Sequence, residues 1–74
     1  MPIIDLKATS NNIKSLIKNS GLKVKDIANI FGFASPYPIY KWQNGESLPT
    51  LDNLVILANL LNVTMDDLII VKLI

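Results

Sequence analysis

Cysteine, histidine and arginine are all missing from these 74 residues, and each absence closes off a kind of chemistry. Without cysteine there are no disulfides and no thiolate reactions. Without histidine the commonest general base and a leading metal ligand are gone as well. No nucleophile then has a plausible base beside it, and the three glycines form no phosphate-binding loop. The adjacent Asp66 and Asp67 point apart on a helix, so a capping role suffices for them. No catalytic activity is expected, and neither a cofactor nor a metal. Without arginine, bidentate reading of guanine by a guanidinium is ruled out. No apolar run approaches the ~20 residues that span a bilayer, and no basic segment leads into an apolar one as in a signal peptide. The expectation is a soluble, cytoplasmic protein with no membrane partner.

What is present is apolar: half of the chain, a high share for its length. A chain of this size is expected to form one domain, residues 1–74, whose core is marginal unless dense or shared. A tightly packed bundle or a dimer answers that requirement. The net charge of +1 conceals an uneven distribution. Residues 1–45 hold six lysines against Asp5 and Asp26, a net +4, whereas residues 46–74 hold Lys72 against four carboxylates, a net −3. One basic half suits a phosphate-bearing partner and one acidic half suits a protein.

Local signals divide the chain into five helices. Pro2–Leu6 is β-prone and reads as an extended arm. Thr9 or Ser10 is a candidate cap for a first helix that buries Ile13, Leu16 and Ile17 and ends at Gly21. A second helix covers Val24–Phe31, with Asp26 in its first turn. Ser35 as cap and Pro36 at the first helical position open a third, which Gly45 closes. Thr50 caps a fourth, LDNLVILANLL, whose apolar face is broad enough to predict burial on more than one side. Asn62 in the left-handed conformation ends it, and Thr64 caps a last short helix. The tail Ile69–Ile74 fits either the end of that helix or a strand paired with Pro2–Leu6. The strand is favoured, because two unpaired β-prone ends would leave open edges.

The stretch Val24–Asn44, VKDIANIFGFASPYPIYKWQN, carries the most information. Ala28 is small where two helices must cross closely, and Gly32 stands where a helix ends at positive φ. Ile39 and Trp42 then share one buried face. Two short helices crossing through a glycine turn form the unit that presents a helix to the DNA major groove.

The blocks NNIKSLIKNSGL, DIANIFGF, IYKWQNGESLPT and LDNLVILANLLNVTMDDLI follow one another from Asn11 to Leu68. In this order and spacing they resemble the lambda-repressor/Cro-type helix-turn-helix domain, the xenobiotic-response-element family. The strongest match is Trp42-Gln43-Asn44-Gly45, then a loop, Pro49-Thr50 and a leucine-rich helix. The resemblance implies an all-α, five-helix lambda-repressor-like bundle, to which the paired ends would add a small two-stranded element. It also implies a double-stranded DNA-binding transcriptional regulator, typically a homodimer on an inverted repeat, with the third helix in the major groove. The most direct activity is repression by operator occupancy, with no small-molecule effector expected. Two local departures stand out: Lys23-Val24 replaces the usual Ser or Thr with Gln at the second helix, and Glu46-Ser47-Leu48 fills a loop that is usually basic. The alternative is a protein-interaction module on the same scaffold, of antirepressor or toxin-partner type.

With Ile39 and Trp42 inward, the base-reading candidates are Ser35, Tyr37, Pro38 and Lys41. Tyr37 suits a thymine methyl or a base edge, and Lys41 suits guanine acceptors or a phosphate. The phosphate candidates are Lys23, Lys25, Gln43, Asn44 and Gly45, the last three by their family positions. Lys14 and Lys18 are plausible neighbours of the backbone, and Tyr40 is expected to pack partly against the core or a partner.

Overall fold

Each of the five helices sends one fully buried aliphatic side chain to a common centre: Ile13, Ile27, Ile39, Leu57 and Leu68. The computed structural model describes all residues, Met1–Ile74. Its elements run β1 (Pro2–Ile4), α1 (Leu6–Ser20), α2 (Val24–Phe31), α3 (Tyr37–Gln43), α4 (Leu51–Leu61), α5 (Met65–Leu68) and β2 (Val71–Leu73). Ile17, Ala28, Trp42, Leu54 and Ala58 complete the buried cluster. No helix is long and apolar enough to cross a membrane.

Trp42 organises one end of this core. The rings of Phe31 and Phe33 stack at 5.2 Å, and both meet the Trp42 ring edge-on at 5.5 and 5.9 Å. Such pairs contribute about 0.5–1.5 kcal/mol each beyond the area they bury. Phe31 closes α2, Phe33 lies in the turn and Trp42 belongs to α3, so the cluster sets the angle between the two helices. Gly32, at φ 75°, ends α2; its N–H donates to the Asn29 carbonyl and that of Phe33 to the Ala28 carbonyl. Asn62 repeats the arrangement after α4, at φ 59°, with the carbonyls of Asn59 and Ala58. Both endings follow from residues that tolerate positive φ.

The start of α1 differs from the expected cap at Thr9 or Ser10. Asp5 caps the helix, its Oδ1 accepting from the Ala8 N–H at 3.0 Å. Thr9 is instead buried and committed to the tail. Its hydroxyl donates to the Ile70 carbonyl at 3.1 Å and accepts from the Ile70 N–H at 3.0 Å. Asn12, one turn on, donates to the carbonyls of Asp67 and Leu68 at the end of α5. The tail forms the strand, pairing antiparallel with β1 in the register Pro2↔Leu73, Ile3↔Lys72 and Ile4↔Val71.

Two further expectations need correction. Helix α3 begins at Tyr37 rather than at Pro36, because Pro36, with ψ 0°, already turns its carbonyl inward to accept from Ile39 and Tyr40. Ser35 still serves the turn, accepting from the Tyr37 N–H at 3.3 Å. The broad stripe of α4 is covered on one side only. Leu54, Leu57 and Ala58 are buried, while Leu51, Val55 and Ile56 remain exposed because no further element of the chain covers them.

Thr50 and Thr64 cap α4 and α5 as the sequence indicates, and Thr64 forms a reciprocal capping box with Asp67. The amide and then the hydroxyl of Thr64 hold the Asp67 carboxyl below its ordinary value of 3.8. Because the folded value is the lower one, the box contributes its full stabilisation above the unfolded value. That contribution disappears as pH falls through the folded value. Melting followed from about pH 6 to about pH 2 should show an acid-side decline that is shallower in Asp67→Asn; identical slopes would exclude the box as a source. Trp42→Ala should cost about 3–5 kcal/mol in urea unfolding, as truncation of a buried aromatic does. An unchanged midpoint would remove Trp42 from the core.

Candidate nucleic-acid interface

Helix α3 has only seven residues, and too few backbone bonds to stand alone in water. Packing of Ile39 and Trp42 holds it, and that fixes which side chains turn outward. Tyr37 heads the helix and is 60% exposed. Lys41 lies one turn later, its Nζ 5.6 Å from the centroid of that ring. A cation over an aromatic face is weakly attracted and stays available to another acceptor. Ser35 joins this pair through its bond to the Tyr37 amide. Pro38 is half-buried beside them, at a position where its missing N–H costs the helix nothing.

The other candidates gather beside α3, away from that group. An open cleft of roughly 530 Å³ separates α1, the start of α2 and α3; Lys14, Lys18, Lys23 and Lys25 rim it, with Tyr40 and Gln43 on the α3 side. Lys23 occupies the cap position of α2 without a side-chain cap; the Asp26 amide donates to the Lys23 carbonyl, which leaves the Val24 and Lys25 amides without an acceptor in the protein. A second cleft of roughly 230 Å³ contains Gln43, Asn44 and Gly45 together with Lys7 and Lys14 of α1. The two clefts share Lys14 and Gln43, and no carboxylate lines either. Five lysines thus face one side with nothing on the lining to neutralise them. Tyr40 is 45% exposed and belongs to this lysine surface rather than to the core. Glu46 is exposed just beyond it.

Lys7, Ser10 and Asn11 also line the smaller cleft and are not among the phosphate candidates that the sequence indicates. Lys7, Asn11, Lys14 and Lys18 follow the spacing of a single helical stripe. The stripe is legible only once α1 starts at Leu6, which an expected cap at Thr9 or Ser10 conceals. The chemistry available on this side is polyanion binding with an aromatic and cationic pair on a protruding helix. No three carboxylates come together to hold a metal.

A family model described as helix-turn-helix matches residues 13–68, which include all of α2, α3, α4 and α5. No curated protein and no solved structure matches the chain.

A lysine that only neutralises phosphate should act alike on every sequence. Lys25→Gln is expected to weaken binding uniformly across duplexes and to lower the salt-dependence slope by about one. A loss confined to one sequence, or an unaltered slope, would remove Lys25 from the backbone contacts.

Proposed function

The chain belongs to the lambda-repressor/Cro-type helix-turn-helix family of DNA-binding regulators, and we propose that it is a sequence-specific repressor acting as a homodimer by occupying its operator. The observation that carries this reading is the outward Tyr37–Lys41 pair on α3, flanked by lysine clefts free of carboxylates. In the complex α3 lies in the major groove, its amino end toward the base pairs. Tyr37 meets a base edge or a thymine methyl, and Lys41 reaches guanine acceptors. Ser35 and Pro38 shape the tip of the helix against the same base pairs. Lys23, Lys25, Gln43, Asn44 and the Gly45 amide hold phosphates, which position the helix without reading sequence. Each neutralised phosphate releases counterions, so affinity falls steeply with salt. Bound across a promoter, such a protein excludes the polymerase.

The dimer is supported by the apolar surface that one copy leaves uncovered. Ile4, Val71 and Leu73 on the terminal ribbon are exposed, as are Leu51 and Val55 along α4. Ile4 and Leu51 line one apolar cleft, which makes the ribbon and the start of α4 neighbours. Two copies related by a twofold axis present two reading helices, and an operator for them is an inverted repeat.

Selection from a random duplex pool at two salt concentrations, with light scattering on the same sample, tests both parts. The expected outcome is a dimer that enriches an inverted repeat with half-sites about 34 Å apart. No binding even at low salt would overturn the reading in favour of a protein-interaction module. Tyr37→Ala should cost ~1–3 kcal/mol on the selected site, relax preference there and leave the melting temperature unchanged. Equal weakening on every sequence would show that Tyr37 is not a reader.

A further inference from the structure

Of the eight asparagines in the chain, Asn44 alone is followed by glycine. An asparagine side-chain carbonyl is open to attack by the amide nitrogen of the next residue. The attack needs an uncrowded nitrogen, an N–H free of other bonds and a peptide able to turn over. The fold withholds the second condition at the other sites. Six asparagines lie in α1, α2 or α4 together with the residue that follows, whose N–H is committed to the helix. After Asn62, the Val63 amide donates to the Ala58 carbonyl at 3.0 Å.

At Asn44 all three conditions are met. Its side chain is exposed at the end of α3. The Asn44 amide donates to the Tyr40 carbonyl at 2.9 Å and the Glu46 amide to the Lys41 carbonyl at 3.1 Å, so both flanks of the turn are held. The peptide between them is not: the Asn44 carbonyl accepts from no backbone amide, and the Gly45 N–H donates to no carbonyl. Ring closure requires the Gly45 nitrogen to swing toward the Asn44 side chain, away from the resting ψ of 2°. Turning one peptide over changes ψ of Asn44 and φ of Gly45 in opposite senses. Gly45 starts at φ 79°, has no Cβ to obstruct the change and has open space around it.

We propose that Asn44 and Gly45 form a self-modifying site whose product releases the protein from DNA. The Gly45 nitrogen, losing its proton to solvent base, bonds to Asn44 Cγ and expels the side-chain nitrogen as ammonia, leaving a succinimide ring. Water then reopens the ring. Cleavage at Cγ gives aspartate; cleavage at the Asn44 main-chain carbonyl carbon gives isoaspartate, with the chain running through the former side chain. Either product carries a carboxylate, ionised at neutral pH, in the cleft shared with Lys7 and Lys14. The release rests on the function proposed above: a like charge replaces the neutral amide that meets a phosphate. DNA in turn protects the site, because a phosphate held by the Gly45 amide engages the attacking nitrogen. Free copies therefore expire while bound copies persist.

The test incubates the full chain at neutral and mildly alkaline pH, folded and in urea, and reads conversion at each asparagine by peptide mass and isoaspartate content. In the folded chain Asn44 should convert many times faster than any other asparagine, and faster as pH rises. In urea Asn19, which precedes Ser20, should gain speed while Asn44 changes little. A folded-state rate at Asn44 no higher than at Asn19 overturns the site. The converted fraction, separated by ion exchange, is then titrated with a mixed-sequence duplex beside fresh protein and Asn44→Asp. Both carboxylate forms should bind about tenfold weaker, with a salt slope lower by about one. Saturating duplex should slow conversion of fresh protein; an unchanged rate overturns the protection of bound copies. If fresh protein binds and the carboxylate forms bind equally well, the release is overturned and the DNA reading stands. If fresh protein binds no duplex, the DNA reading and the release fall together, and the folded-state rate alone decides the modification.

Discussion

The contact on which this small fold depends most is the meeting of Trp42 with Phe31 and Phe33. Helices α2 and α3 are too short to persist by themselves. Their relative angle, and with it everything α3 displays, is held by one aromatic cluster spanning the end of one helix, the turn and the other helix. Ile39 adds a second inward anchor, and the outward direction of Tyr37 and Lys41 follows from those two. What α3 displays rests on how firmly a seven-residue helix is seated, more than on the helix's own propensity.

The lysine-only character of the polar surface sets the style of binding. An ammonium is a compact, strongly hydrated charge, whereas a guanidinium is a planar fork that fixes orientation. Five lysines along two connected clefts give attraction and freedom to adjust, with little geometric selectivity. At the tip of α3, apart from those clefts, an aromatic ring and a single cation share a small area. The exposed aliphatic side chains lie elsewhere, on the ribbon and α4, distinct from the lysine-rimmed linings.

Features governed by neighbours in the chain were legible in the sequence. Gly32 and Asn62 stop helices, and Thr50 and Thr64 start them, because the bonds involved span only a few residues. The helix-turn-helix was legible too, since Ala28, Gly32, Ile39 and Trp42 must each satisfy a local and a packing requirement at once. Thr9 was misread for the opposite reason. It has the composition of a cap, but its partner Ile70 lies 61 residues away, and nothing near Thr9 announces that. The same misplacement concealed Lys7 and Ser10, whose surroundings are set by where the end of α3 comes to lie. The stripe of α4 was legible as apolar, yet periodicity cannot tell whether its cover comes from the same chain.

The bond between Thr9 and Ile70 also governs the order in which the molecule comes together. It closes a loop over most of the chain, and closing so long a loop carries an entropic penalty that nearby contacts avoid. Contacts of α2 with α3 and of α4 with α5 span short stretches and need not wait for it, whereas the ribbon and the amino end of α1 gain their partners only when both ends of the loop arrive. Lys7 rides on that same amino end of α1, so the placement of its ammonium beside the end of α3 is tied to the lifetime of the clasp between Thr9 and Ile70.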